Sequence, residues 1–209
     1  MHRLTALTCA LISLVAEVVA ADADAIFWPA KPRPPFSVET RQEIFDAVPI
    51  TVTEFVGAGI RIRADAAGSW IGHDTAGGRY SLRLTHYRNP NIKLAFSIFG
   101  PGEFLPDLGE KAWQAYLAGL RQTWGDALRD LTETNKADGT GDVFLFGKPY
   151  REVYYTVNRA PGTPPVTFRE LFALVGGRLL VVTVEAPAER MPGLVLPVDR
   201  FLARLELVP

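Results

Sequence analysis

Residues 167–185 read TFRELFALVGGRLLVVTVE, and their reading decides the fold. Two runs, Thr167–Val175 and Arg178–Glu185, flank Gly176-Gly177. Glycine reaches positive φ without steric cost, so a Gly-Gly pair between β-rich runs predicts a tight hairpin. Thr167–Leu174 alone has the propensity for helix. The Gly-Gly turn and the β-branched content of Leu179–Val184 favour strands instead.

The same signals recur upstream. Tyr80, Leu82, Leu84 and His86 alternate with Arg79, Ser81, Arg83 and Thr85, and Ile92, Leu94, Phe96 and Ile98 alternate with Asn91, Lys93, Ala95 and Ser97. Period-two alternation marks half-buried strands. Asn89-Pro90-Asn91 turns the chain between them, and Gly77-Gly78 predicts a further hairpin turn before Arg79. Ile50–Val56, Ile60–Ala64, Val143–Phe146 and Glu152–Asn158 also read as strands. Asn135–Asp142 reads as a polar loop.

Helical spacing appears in three places. The clearest is Asp107–Trp124, where Leu108, Ala112, Tyr116, Leu120 and Trp124 stand at steps of four and Trp113 and Leu117 widen the stripe. Asp107 and Glu110 have capping-box spacing, and Gly125 suits the stop. A shorter helix is predicted over Val38–Val48, capped by Ser37 and stopped by Pro49. The last apolar pattern, Val198–Leu207, predicts a helix running into a strand-like tail. The class is α+β: an antiparallel sheet with helices laid on it.

Residues 1–20 form a different kind of segment. His2 and Arg3 precede an apolar run from Leu4 to Ala16, and Val18-Val19-Ala20 offers small or apolar residues before a cut. This is the pattern of an export signal. A membrane anchor needs about 20 apolar residues, and Leu4–Ala20 is slightly shorter and carries Glu17. Removing it removes Cys9, the only cysteine, so the processed chain has no disulfide or thiol chemistry. Arg3 and Glu17 leave together, so the formal net charge stays at −1. That balance gives no general attraction to nucleic acid or anionic membrane. No second apolar run predicts a membrane span. Residues 21–36 read as an arm carrying Pro29, Pro32, Pro34 and Pro35, and residues 37–209 read as one domain. The expected location is periplasmic or secreted.

Gly59-Ile60-Arg61-Ile62 before Trp70, Asn91-Ile92-Lys93-Leu94 leading to the capped helix, the hairpin Phe172–Leu179 and the segment Phe201–Leu207 fall in an order that resembles the PsbP-like superfamily. The resemblance spans roughly residues 50–208. It implies an antiparallel sheet flanked by helices, an α/β/α sandwich. It also implies accessory binding or assembly rather than catalysis. No functional motif of that family is matched, so it assigns no site residue.

Candidate chemistry is sparse. His73-Asp74 has the order of a base with its orienter, and a hydrolase would use this pair with groups such as Ser69. If Asp74 faces Arg79 across the Gly77-Gly78 turn, His73 and His86 stand roughly 20 Å apart and cannot share a metal. No G-x-S-x-G, P-loop or dinucleotide motif is present. Gly57-Ala58-Gly59 leads into a strand and reads as a strand break. Asp138, Thr140 and Asp142 place oxygens at alternate positions, as calcium prefers, but without the EF-hand order. Tyr150, Tyr154, Tyr155, Trp113 and Trp124 suit a core at least as well as a pocket. No cofactor is expected.

The basic residues of the strands are the better ligand candidates. Arg61 and Arg63 share one strand face, Arg79 and Arg83 share another, and Lys93 lies on the outward face of the next strand. Neighbouring strands would gather them into a patch for a carboxylate, phosphate or acidic glycan. A solvated face with long stems lying over apolar surface is the plainer alternative. The expected role is a non-enzymatic binding or accessory protein for an unidentified protein or small ligand.

Overall fold

A computed structural model of the chain describes residues 33–57, 59–64, 70–74, 80–101, 109–135, 150–204 and 206–207. The strands among them are β1 (Ser37–Phe45), β2 (Val48–Gly57), β3 (Ile60–Ala64), β4 (Trp70–Asp74), β5 (Leu82–His86), β6 (Asn89–Phe99), β7 (Leu128–Asn135), β8 (Tyr150–Val157), β9 (Val166–Val175), β10 (Arg178–Pro187) and β11 (Glu206–Leu207). The helices are α1 (Glu110–Trp124) and α2 (Met191–Leu202).

The Gly-Gly hairpin forms as its sequence predicts. β9 and β10 pair antiparallel from Val175↔Arg178 to Val166↔Pro187, and Gly176 and Gly177 take φ of 57° and 74°. Around this pair grows a seven-stranded sheet in the order β4-β5-β6-β10-β9-β8-β7. A second sheet, β1-β2-β3-β11, has four strands. The single sheet expected from sequence is thus two, because the strands near each end of the domain pair with one another. Every pairing is antiparallel. With two α-helices on the sheets among the described residues, the class is α+β, as read.

Both faces of the large sheet are covered. On one, α1 lays Ala112, Trp113, Tyr116, Leu117 and Leu120 against Phe172, Tyr155, Phe168 and Val181. On the other, Met191, Val198 and Leu202 of α2 and Phe55, Ile60 and Ile62 of the small sheet meet Leu84, Phe96, Leu171 and Val182. Alternate residues of each central strand therefore enter different cores, which is what period-two alternation encodes. The expected aromatic group divides the same way. Tyr155, Trp113 and Trp124 pack on the α1 side, and Tyr150 and Tyr154 on the α2 side.

The segment before β1 joins the two sheets. Phe36 is buried, its N–H donates to Ser81 O at 3.2 Å, and a Cβ on Gly57 would stand 3.1 Å from its ring. Arg33 is also buried, with its guanidinium 4.5 Å from the centre of the Phe99 ring.

Val38–Val48 is not a helix. It forms β1 and the start of β2, paired from Ser37↔Val56 to Phe45↔Val48. Ser37 does not cap; its hydroxyl donates to Val56 O at 3.0 Å. Pro49 does not stop a helix. It sits in a strand opposite Ile44, beyond the reach of β3, which pairs only Thr53–Gly57. A proline is tolerated where no ladder bond is asked of its nitrogen. The competing helical spacing of Ile44, Phe45 and Val48 gains no core, since these residues are 80%, 65% and 58% exposed.

The turn between β1 and β2 is Asp46-Ala47, with φ of 48° and 65°. Two successive positive φ values define the tight turn that matches strand twist and that favours Asp-Gly or Asn-Gly. Alanine pays a Cβ clash there of about 1 kcal/mol. Ala47→Gly is expected to raise unfolding stability by about 0.5–1 kcal/mol, read as a later urea midpoint with unchanged slope. A midpoint moved earlier would show that the turn is not strained as described.

The α1 stripe forms as read, but the helix starts later. Gly109 is the N-cap and Glu110 the first helical residue, so no capping box forms; Asp107 lies outside the described residues. Glu110 instead accepts from Gln114 Nε2 at 2.6 Å and pairs with Arg151 at 3.2 Å. α2 begins at Met191, before the predicted Val198. Pro192 stands in its first turn, where no intrahelical N–H is required, and Pro197 is accommodated inside it. The strand-like tail is β11, paired to β3. Val143–Phe146 lies outside the described residues.

β7 was not legible as a strand. It carries a bulge between Arg129 and Thr132, with Asp130 at φ 52°. The extra residue shifts the phase, so Leu128 and Leu131, three apart, both pack toward α1. Glu133 on the same side accepts the Trp113 indole N–H at 2.5 Å.

Candidate functional site

The histidines come first. β4 pairs with β5 through His73↔Leu84 and Asp74↔Arg83, not through Asp74 and Arg79. The two histidines are therefore two register positions apart on adjacent strands, about 7 Å along the strand rather than 20 Å. The cause is the place where β5 begins. Ser81 is held by its N–H to Phe96 O at 2.7 Å, and the connection from Asp74 to Leu82 is longer than a two-residue turn. Gly77, Gly78 and Arg79 lie in it, outside the described residues, as does Ser69.

His86 is held structurally. Its ring meets Trp70 edge-on at 5.6 Å, and its Nδ1 accepts the Arg88 backbone N–H at 3.3 Å. Burial, and then the Arg88 charge, push its pKa below the ordinary value. Its Nδ1 is thus occupied within its own turn. Asp138 and Asp142 lie outside the described residues.

The basic residues do not gather on one sheet face. Arg61 and Arg63 stand on β3 in the small sheet, whereas Arg83 on β5 and Lys93 on β6 stand in the large one. Arg61 and Arg63 do share a face, as read, but they share it with acids. Arg63 pairs with Glu43 at 2.6 Å and Arg61 faces Glu54 at 3.6 Å. Arg41, also on this face, pairs with Glu43 at 2.7 Å and Glu54 at 2.9 Å. This lattice roofs Val52, which is 3% exposed despite its outward position.

Lys93 leads to a cleft. In the pairing of β6 with β10, Lys93 stands directly opposite Glu185. Its ammonium lies 3.5 Å from Glu185 Oε1, and Arg159 donates to the same oxygen at 3.0 Å. Arg159 follows β8 and leans over the Phe168 ring at 5.5 Å. These groups line a cleft of about 360 Å³ at the end of the sheet, with Asn89, Asn91, Glu189 and Arg190 also in its wall. Pro164, Pro165, Val166 and Pro187 supply an apolar side.

The cleft is fixed by turns on three sides. The β5–β6 turn is Tyr87-Arg88 rather than the predicted Asn89-Pro90-Asn91, which opens β6, where Asn89 Oδ1 accepts the Asn91 N–H at 3.0 Å. Ala160 O accepts both the N–H and the hydroxyl of Thr163, at 3.2 and 2.8 Å. Ala188 N–H donates to Pro165 O at 3.0 Å, tying two of the walls together. Three cations stand against two carboxylates in the lining, so the cleft is locally positive in a nearly neutral chain. Sequence reasoning named Lys93 as a ligand candidate and did not name Arg159, Glu185 or Arg190. Only the strand register brings these together.

No protein-family model matches this chain, and no curated protein matches it significantly. Among solved structures it is similar to cyanobacterial PsbP (CyanoP) from Synechocystis sp. PCC 6803, at 14% identity and a TM-score of 0.48, over 71% of this chain and 86% of that one. It is also similar to PA94 from Pseudomonas aeruginosa, a protein of unknown function, at 12% identity and a TM-score of 0.38, over 76% of this chain and 98% of that one.

Proposed function

We propose that this chain is an exported, non-enzymatic binding protein that takes a small anionic ligand in the cleft at the end of the large sheet. Residues 1–20 act as the export signal in this reading, and residues 37–209 as one domain carrying the site. The observation that supports it is the convergence of Lys93 and Arg159 on a single oxygen of Glu185, with Arg190 in the same wall. Two cations sharing one carboxylate oxygen retain attraction for a second anion. The asparagine amides add neutral donors, and the prolines offer apolar contact for the body of the ligand.

Acetate, succinate and inorganic phosphate are suitable probes, titrated by calorimetry at low and high salt. Saturable binding that weakens with salt is expected. Lys93→Glu should weaken it about tenfold or more. Glu185→Gln should strengthen it, because the competing carboxylate is gone. No saturable heat with any probe, or equal affinity in Lys93→Glu, would exclude the cleft as an anion site.

A further inference from the structure

Among the described residues β1 is the outer strand of the small sheet, with β2 on one side only. Eight of its nine residues are exposed and Glu43 is half-buried, so neither face is covered along most of its length. Its tip carries Ile44 and Phe45, and Val48 begins β2 beside them. An exposed edge of this length is a template for another strand. No proline, lysine or bulge interrupts it.

The hairpin phase shows which backbone groups face outward. In a two-residue hairpin the pair beside the turn, here Phe45 and Val48, exchanges hydrogen bonds, and bonded pairs then recur at every second residue. Pro49 agrees with this phase, since it falls opposite Ile44 in a pair that needs no N–H. Val38, Thr40, Gln42 and Ile44 consequently turn their N–H and C=O groups away from β2.

We infer that β1 pairs with β1 of a second copy, antiparallel about a two-fold axis through Gln42, making one continuous sheet from two small ones. The charges select this register. Centred on Gln42, Arg41 stands opposite Glu43 of the other copy, and the symmetric pair repeats it. Thr40 and Ile44 stand opposite one another, so about six outward backbone hydrogen bonds form. The exposed tip is covered along with them. Centred on Arg41, the register would oppose Arg41 to Arg41 and Glu39 to Glu43, which is repulsive throughout. Centred on Thr40, it would bring Ile44 opposite Phe36, whose N–H is already committed to Ser81 O, and Phe45 opposite Pro35. The contact is isologous and closes at two copies.

Sedimentation equilibrium of the purified protein tests this. A concentration-dependent dimer is expected. Gln42→Pro, which removes an outward N–H and leaves the β1–β2 ladder intact, should abolish it. Arg41→Glu, which opposes acids at both symmetric pairs, should weaken it about tenfold. Gln42→Cys in a Cys9→Ser background should cross-link under mild oxidation, because bonded antiparallel pairs stand about 5.5 Å apart at Cα, within disulfide reach. Val38→Cys should not. This last comparison stands even if a substitution perturbs folding elsewhere. A protein that stays at the mass of one chain up to about 1 mM overturns the inference. So does a dimer that these variants leave unchanged, or one in which Gln42→Cys fails to cross-link. A monomer that captures an extended peptide of a different protein on β1 overturns it too.

Discussion

Arg169→Met is expected to cost the fold about 3–5 kcal/mol, the range for removing one partner of a buried ion pair. Arg169 is 3% exposed, beneath α2. Its Nε donates to Glu152 Oε1 at 2.6 Å and one terminal nitrogen donates to Asp199 Oδ1 at 2.5 Å. One guanidinium thus joins β9 to β8 and to α2. Burial alone would lower its pKa, but the carboxylate of Glu152, then Tyr154 and Asp199, outweigh this and raise it. Tyr154, 5.7 Å away, is pushed well above the ordinary tyrosine value, chiefly by burial. Removing the cation leaves two carboxylates facing each other with little water. Domains of this kind have about 5–15 kcal/mol in total, so the variant should unfold at far lower urea. The triple change Arg169→Met, Glu152→Leu and Asp199→Leu should recover most of the loss, because a packed apolar trio carries no desolvation penalty. A single variant within about 1 kcal/mol of the parent would show that water reaches this group.

Phe172→Ala should cost a similar amount, about 3–5 kcal/mol, by a different route. Phe172 has no exposed surface and meets Trp113 at 5.3 Å and Tyr116 at 4.8 Å, both edge-on. It is the post on which α1 rests. Alanine leaves a cavity between sheet and helix that Trp113 cannot fill without losing its bond to Glu133. Near-ultraviolet dichroism should fall along with stability, while the far-ultraviolet strand signal persists. Phe172→Leu, which keeps most of the volume, should cost less than about 1.5 kcal/mol. Equal losses from leucine and alanine would mean that ring geometry, rather than cavity volume, holds the helix.

The central hairpin, the alternating strands and the helix stripe were legible because each is a local pattern. Gly176-Gly177 specifies its own turn, and Trp113, Tyr116 and Leu120 specify their own face. β1 was misread because Ile44, Phe45 and Val48 have helical spacing but no core to face. The pairing of this segment with β2 is only apparent once Asp46-Ala47 is seen to adopt positive φ, which a sequence lacking glycine there does not announce. β7 was hidden by its bulge, which converts a three-residue spacing into one strand face. The cleft was half legible. Lys93 follows from alternation, but Glu185 and Arg159 reach it only through the β6–β10 register and the turn after β8. Arg61 and Arg63 were placed on the right face, yet their acidic neighbours Glu43 and Glu54 come from strands whose pairing no local pattern specifies.

The buried ends of Arg33 and Phe36 set a limit on how far the amino end can be shortened. Trimming beyond residue 32 would pull out the wedge that locks the two sheets together. Loss of Arg33 and Phe36 would thus come only at the expense of the domain's own integrity.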